Sequence, residues 1–421
     1  MATREQRPVV GILVGGGPAP GINSVIGAAT IRSILGGCDV IGIPDGFKWI
    51  MAGNTSKVRR LSIEDISRIH FSGGSCLGTA RANPTQKTEH LDACLASLHT
   101  LGVTRLITIG GDDTAFSALK LEQRAGGRLQ VVHVPKTIDN DLDLPHGIPT
   151  FGFQTARHIG VELVKSLMVD AETTSRWYFV VTMGRKAGHL ALGIGKAAGA
   201  TLTIIPEEFR HKPVRLQTLV DILVAAFIKR LSAGKSDGVA VLAEGLVEIL
   251  DQQDVNGLED VERDQHGHVR LAEINFGVVL KRAVEKELRT FGIKTTIVEK
   301  NIGYELRCAD PISFDMEYTR DLGYCAAQFL LEGGNAAMVS IQNGRFIPIP
   351  FGDILDPATG RTRVRMVDVG SESYAIARRY MIRLSPEDLS QPNDLVRLAT
   401  AAGLASDDFR KRFEYVIGKD V

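Results

Sequence analysis

The chain is expected to be an α/β protein of two or three lobes with mainly parallel, doubly wound sheets, and three observations predict this. Short apolar runs such as 9–14 (VVGILV), 106–109 (LITI) and 131–134 (VVHV) have the length of buried strands. Each run is followed by a turn rich in glycine or acidic residues and, in most cases, by a helix-like stretch, the alternation that builds parallel sheets. At 421 residues the chain is too long for one small core. No fixed-period repeat or low-complexity linker separates two halves, so the chain is expected to cross between lobes that are wound together.

Taken in order, the strand 9–14 opens into the loop 15–23 (GGGPAPGIN) and a helix ending at Leu35. These glycines do not fit GxGxxG, and no acidic residue ends a second strand at the right distance, so a phosphate loop is a better reading than a dinucleotide loop. Residues 40–43 give the next strand, and 46–53 a turn carrying Lys48 and Trp49. A second glycine-rich loop, 72–81, ends in Arg81, whose guanidinium fork suits bidentate phosphate contact. Without that context an arginine is more commonly a solvated surface charge. Residues 91–101 read as a helix.

Two strand-to-turn units follow and carry the densest chemistry. The strand 106–109 leads into Gly110-Gly111-Asp112-Asp113-Thr114 and a helix from Ala115. Glycines at a helix N-terminus favour an anion, and two aspartates become compatible with one when a hard cation is shared. An acidic turn that only caps its helix has the same composition. The strand 131–134 is expected to end at Pro135, which has no ladder donor. Lys136, Thr137, Asp139 and Asp141 then leave one strand end together, placing an ammonium, a hydroxyl and two carboxylates at one point. In a doubly wound sheet such ligand loops lie at the carboxyl ends of the strands. All four loops are expected there, converging on one crevice.

Beyond residues 152–156 (GFQTA) a helix runs to about Ala171, and the strand 176–183 leads into Gly184 and Arg185. Arg176 and Arg185 bracket that strand and are roughly 25 Å apart at about 3.3 Å per residue. They serve different purposes, or Arg176 reaches a neighbouring subunit's site. A small-residue helix 188–200, strands 202–205 and 239–243, the latter ending in Glu244-Gly245, and helices 216–231, 272–288 and 314–331 complete the pattern. Glu244 suits sugar hydroxyls or simply a helix cap. Residues 247–270 form a polar excursion, with His266-Gly267-His268 read as a hairpin turn and not as a metal site.

Composition excludes several classes of partner. Lysine plus arginine (49) equals aspartate plus glutamate (49), so no global charge points to nucleic acid or an anionic membrane. The five cysteines have no CxxC or metal-ligand spacing, consistent with a reduced cytoplasmic protein. The charged N-terminus lacks a signal-peptide core, and the apolar stretch 216–231 is interrupted by Asp221, Lys229 and Arg230.

Together the loops resemble those of the phosphofructokinase family over roughly residues 8–350. The matching motifs are GGxxPGIN at 16–23, LGTAR ending at Arg81, GGDD at 110–113, PKTIDND at 135–141, MGR at 183–185, EG at 244–245 and GYxxR at 303–307. Family members that use ATP resemble GGDG and PGTIDND, whereas diphosphate-using members resemble this chain at Asp113 and Lys136. The physics agrees: a carboxylate at Asp113 repels a nucleotide α-phosphate, and Lys136 supplies cationic contact to the shorter donor. Charges about 4 Å apart interact by roughly 4 kcal/mol at an effective dielectric near 20.

The resemblance implies two Rossmann-like lobes, with the active site in the cleft between them. One would comprise 1–150 with about 312–375, the other 151–311 with about 376–421. It implies Mg²⁺-dependent phosphoryl transfer from diphosphate to fructose 6-phosphate by a cytoplasmic homodimer or homotetramer, without a nucleic-acid or membrane partner. Asp139 would be the base, with Thr137 and Arg185 completing the catalytic set, and Asp112 would hold Mg²⁺. Gly16, Arg81, Asp113 and Lys136 would line the diphosphate site. Thr137, Ile138, Asp139, Arg176, Met183, Gly184, Arg185, Glu244, Tyr304, Glu305, Leu306 and Arg307 would line the sugar-phosphate site. The chain departs from the ATP pattern at Tyr304, where histidine is usual, and at Val298, where an arginine is usual and Lys300 is the nearby substitute. An ATP-dependent enzyme, a kinase of another sugar phosphate such as sedoheptulose 7-phosphate, and a non-catalytic regulatory subunit are the alternative readings.

Overall fold

The computed structural model describes residues 7–145, 147–258 and 274–417. The principal strands are β1 (Val9–Val14), β2 (Asp39–Ile43), β3 (Val103–Gly110), β4 (Gln130–Thr137), β5 (Trp177–Thr182), β6 (Leu202–Ile204), β7 (Gly238–Ala243), β8 (Ile297–Ile302) and β9 (Ala337–Met338). The principal helices are α1 (Ile22–Leu35), α2 (Thr88–Thr100), α3 (Asp112–Ala125), α4 (Phe153–Thr174), α5 (His189–Ala198), α6 (Leu216–Ser232), α7 (Phe276–Thr290) and α8 (Ser313–Leu331).

The chain folds as two compact units, residues 1–156 with 304–365 and residues 157–303 with 366–421. Both later exchanges come earlier than the expected 312 and 376, and local bonding explains why. The Gly73 N–H donates to Asp310 at 2.8 Å, and a Cβ on Gly73 would meet the Cys308 carbonyl oxygen at 2.2 Å, so residues 304–311 belong with the first unit. At the second exchange the Arg365 N–H donates to the Asp141 carbonyl at 2.8 Å in the first unit. Two residues on, the Val367 N–H donates to Glu207 at 3.0 Å in the second.

In the first unit the strand order β9-β4-β3-β1-β2 is parallel throughout, and short antiparallel strands, Ile349–Pro350 and Arg59–Arg60, form its edges. The period-two alternation of a strand divides the core between the faces. Val10, Ile12, Val14, Ile107, Ile109, Val132 and Val134 pack with residues of α1 and α8. Leu13, Leu106 and Val131 pack with residues of α2 and α3 on the other side. Each buried Val, Leu or Ile contributes about 1.5–3 kcal/mol.

Two boundaries differ from expectation. Strand β4 does not stop at Pro135: Pro135 pairs with Gly110, and Lys136 and Thr137 then pair with Phe151 and Gly152. The missing proline donor is tolerated because a new neighbouring strand takes over the ladder. Helix α3 begins at Asp112, not Ala115, so both aspartates occupy its first turn, where carboxylates are favoured by the helix dipole.

In the second unit the order β8-β5-β7-β6 is parallel throughout. Trp177 at the start of β5 is fully buried and stacks on Phe227 of α6 at 4.8 Å. Strand β8 (IVEKNI) is polar because among the described residues it pairs on one side only, with β5; that is why its sequence did not read as a strand. The tail returns here: Arg412 bonds Asp221 of α6 and donates to Glu287 of α7 at 2.9 Å, and the Tyr415 hydroxyl donates to Asp221. The turn expected around His266-Gly267-His268 lies outside the described residues. No helix among the described residues is long and apolar enough to cross a membrane.

Candidate active site

In the first unit the chain leaves β1 to β2 on one side while β3 lies on the other, creating a topological switch point at the carboxyl ends of β1 and β3. The loops there are laced together by backbone bonds. Gly15 N–H donates to Ile109 at 2.8 Å and Gly16 N–H to Ala80 at 2.9 Å. Thr114 fills the gap between the loops after β1 and β3: a Cβ on either Gly15 or Gly110 would lie 2.4 Å from its Oγ1. Gly16 has φ +82°, a left-handed conformation natural to glycine.

The loop 72–81 does not leave a strand, contrary to expectation; it follows a short helix, Ile63–Ile66. Side-chain bonds bring it to the same edge of the sheet. The Asn23 amide donates to the Ser72 and Gly73 carbonyls at 3.1 Å each, and its Oδ1 accepts from the Cys76 N–H at 2.8 Å. Arg81 is exposed, one residue beyond the Ala80 carbonyl that anchors Gly16. Asp113 is likewise exposed in the first turn of α3.

Lys136 is the electrostatic centre of this edge. Its side chain is buried and its Nζ donates to the Gly17 carbonyl. Burial pushes the ammonium down to about 8; Asp139, Asp141 and Asp112 pull it back up, while Arg307 pushes it further down. The sequence-derived residues Lys136, Asp139, Asp112 and Arg307 are therefore electrostatic neighbours within one unit. A Cβ on Gly17 would lie 3.2 Å from an Arg307 terminal nitrogen, and the Arg307 guanidinium sits 4.5 Å from the Tyr304 ring centre. Tyr304 and Glu305 are exposed, but Leu306 is fully buried. Its side chain cannot line a substrate pocket as expected; it anchors the short helix Tyr304–Arg307 in the core.

The turn after β4 is held from several directions. Thr137 Oγ1 accepts from the Asp139 N–H at 3.0 Å, and the Thr137 carbonyl accepts from the Thr150 hydroxyl at 2.8 Å. Ile138 is buried beneath the turn, and Asn140 adopts φ 57°. Asn140 Oδ1 accepts from the Thr150 N–H at 3.0 Å and from Arg365. Below the turn His133 is completely buried between Thr108 (2.9 Å) and the Gly110 carbonyl (3.0 Å). Burial pushes its imidazole down to about 3. Neutral His133 donates to the carbonyl, which fixes the end of β3. None of Thr114, His133, Thr150 or Arg365 stood out in the sequence.

In the second unit, Arg176 precedes β5 and Arg185 follows it, so they do lie beyond opposite ends of the strand. Arg185 Nε is 3.4 Å from Glu244 Oε1. Glycines make that approach possible: Gly184 has φ +122°, and a Cβ on Gly245 would meet the Arg185 carbonyl oxygen at 2.3 Å. Met183 packs over Gly303, where a Cβ would lie 2.4 Å from its Cγ. Arg176 Nε is buried with no hydrogen bond among the described residues, 4.0 Å from Asp170, whose carboxylate accepts from the Tyr178 hydroxyl. Val298 and Lys300 lie two residues apart on β8 and so share a face, with Lys300 exposed.

Among the described residues no group of three or more His, Cys, Asp or Glu side chains is placed to hold a metal. Asp112 offers one carboxylate beside the phosphate-friendly loops. That donor set fits Mg²⁺ shared with phosphate oxygens and water, because Mg²⁺ commonly binds through one or two carboxylates plus substrate.

The chain matches the phosphofructokinase family over residues 9–330. It is 54% identical over 409 residues to a pyrophosphate–fructose 6-phosphate 1-phosphotransferase of Thermotoga maritima, covering 96% of this chain and 97% of that one. It is 48% identical over 426 residues to a protein of the same name from Naegleria fowleri, covering 99% and 98%. The fold is similar to that of the Saccharomyces cerevisiae phosphofructokinase structure, with TM-score 0.64 and 21% identity over 97% of this chain. This chain spans 50% of that yeast chain.

Proposed function

The chain belongs to the phosphofructokinase family, and from that premise we propose how its residues perform diphosphate-dependent transfer. The reaction moves a phosphoryl group between diphosphate and the 1-hydroxyl of fructose 6-phosphate, a step of glycolysis and gluconeogenesis. Asp139 takes the proton of the sugar 1-hydroxyl as that oxygen attacks the terminal phosphorus. The bond to the bridging oxygen breaks, and orthophosphate leaves with the electron pair. Thr137 orients the base through the bond that its hydroxyl oxygen accepts from the Asp139 N–H. Arg185 stabilises charge on the transferring group, the dominant contribution in phosphoryl transfer.

Gly16, Arg81, Asp113 and Lys136 bind or select diphosphate. Arg307, beside Gly17 and an electrostatic neighbour of Lys136, contributes positive charge to the same edge. Arg176, Met183, Gly184, Glu244, Tyr304 and Glu305 contact the sugar phosphate, Leu306 through its backbone only. Phosphotransferases of this family generally need a divalent metal. Here Asp112 would hold Mg²⁺, which when bound neutralises diphosphate charge. The protein acts in the cytoplasm as a homodimer or homotetramer in which Arg176 serves a neighbouring subunit.

The observation that carries the donor assignment is the buried Lys136 ammonium clasped to the Gly17 carbonyl, with Asp113 in the first turn of α3. A small anion gains from the cation, whereas a nucleotide α-phosphate is repelled by the carboxylate. Offering diphosphate and ATP in parallel, with fructose 6-phosphate and Mg²⁺, tests this. Turnover with diphosphate alone is expected; comparable turnover with ATP would refute the assignment.

A further inference from the structure

Arg365 lies beyond the family-matched region 9–330, at the last position of the first unit, and its guanidinium bonds to the turn that carries Asp139 and to the segment closing it. Its Nε donates to the Asn140 carbonyl at 3.0 Å, one terminal nitrogen to the Ile148 carbonyl at 2.7 Å, and the other to Asn140 Oδ1. Its own N–H donates to the Asp141 carbonyl at 2.8 Å, and an isolated antiparallel bridge joins Leu142 to Val364 just before it. The flanking Arg363 pairs with Asp143 at 2.6 Å. Burial pushes the Arg365 guanidinium below its ordinary range, while Asp143 and Asp141 oppose the shift.

The bonds meet at a residue with an uncommon backbone conformation. Asn140 is in the left-handed region at φ 57°, uncommon for a non-glycine residue, and it immediately follows Asp139. Asn140 Oδ1 also accepts from the Thr150 N–H. One guanidinium thus fixes both the carbonyl and the side chain of Asn140 and ties residues 140–141 to residue 148. The planar, pre-organised fork of arginine does this; a lysine would satisfy one acceptor at a time.

We propose that Arg365 is a positioning residue for the phosphoryl-transfer step: it clamps the 137–141 turn so that Asp139 is presented in one orientation. This rests on Asp139 acting as the base. Misplacing a reacting group by about 1 Å costs about 100-fold in rate. Substrate affinity set by other residues is largely preserved. Arg365→Gln is therefore expected to lower kcat by about 10- to 100-fold while both KM values stay within about twofold. Arg365→Lys restores part of the loss, and added guanidinium ion restores part of it in Arg365→Gly.

Hydrogen exchange over residues 137–150, read without turnover, separates this from the function assignment. Exchange in that segment rises in Arg365→Gln if the clamp exists, even should the wild-type protein fail to turn over diphosphate. Unchanged exchange overturns the proposal. So does a folded variant with kcat within about twofold of wild type, or one whose diphosphate KM rises in step with the loss of kcat/KM. If Arg365→Gln does not fold, Asn140→Gly retains the left-handed turn but removes the Oδ1 acceptor. It is expected to show the same kcat loss, and an unchanged kcat there refutes the clamp.

Discussion

At the scale of single residues, side chains whose type carries chemistry were the ones the sequence made legible. Lys136, Asp139, Asp112 and Asp113 stood out because an ammonium and carboxylates crowded at strand ends have few structural uses. Residues that act on the backbone were not legible: Thr114, Thr150 and Arg365 are ordinary residue types whose partners lie in other loops. Asn23 was read as part of a phosphate motif, yet both ends of its amide are spent joining two loops. Lys136 gives a pH prediction. Its free-enzyme value is lowered to about 8, so it is charged below that pH and loses its proton as pH rises through it. kcat/KM for diphosphate, which reports free-enzyme ionisations, is expected to fall above about pH 8 in the wild type and to lose this limb in Lys136→Met. An alkaline limb unchanged in Lys136→Met would assign it to another group.

At the scale of elements, the parallel strands and long helices were legible because hydrophobic period and strand length are local properties. Three failures share one cause, a neighbour in space. Strand β4 runs through Pro135 because the strand Phe151–Gly152 waits beside Lys136. Strand β8 is polar because it lies at an edge. Helix α4 begins at Phe153, inside the stretch 152–156 expected to precede it, because a carboxylate from α8 meets its first turn: Asp315 accepts from the Gly152 N–H at 2.9 Å, the Thr155 N–H at 2.8 Å and the Thr155 hydroxyl at 2.6 Å. Burial raises the Asp315 carboxyl above its usual range, while these donors oppose the shift. Asp315→Ala leaves the donors buried and is expected to cost about 3 kcal/mol, read as a lower urea midpoint at unchanged m. A midpoint like that of wild type would show that water or a shifted neighbour satisfies the cap.

At the scale of the whole molecule, interleaving of two units was legible from the absence of a linker, but the exchange points were not, because bonds from Gly73, Arg365 and Val367 decide them. Nor was the role of the tail, whose Arg412 and Tyr415 meet a buried aspartate on α6. Assembly gives a prediction at this scale. Arg176 has a buried nitrogen with no hydrogen bond among the described residues and lies beyond the opposite end of β5 from Arg185. Arg176→Ala is expected to raise KM for fructose 6-phosphate more than for diphosphate, and an unchanged sugar KM would remove the neighbouring-subunit role. The most direct test of the whole account is the kinetics of Asp139→Asn, which keeps the shape of the side chain and removes its basicity. A fall in kcat of about 10²- to 10⁴-fold, with both KM values nearly preserved and folding intact, is the predicted result; a kcat close to wild type would contradict Asp139 as the base.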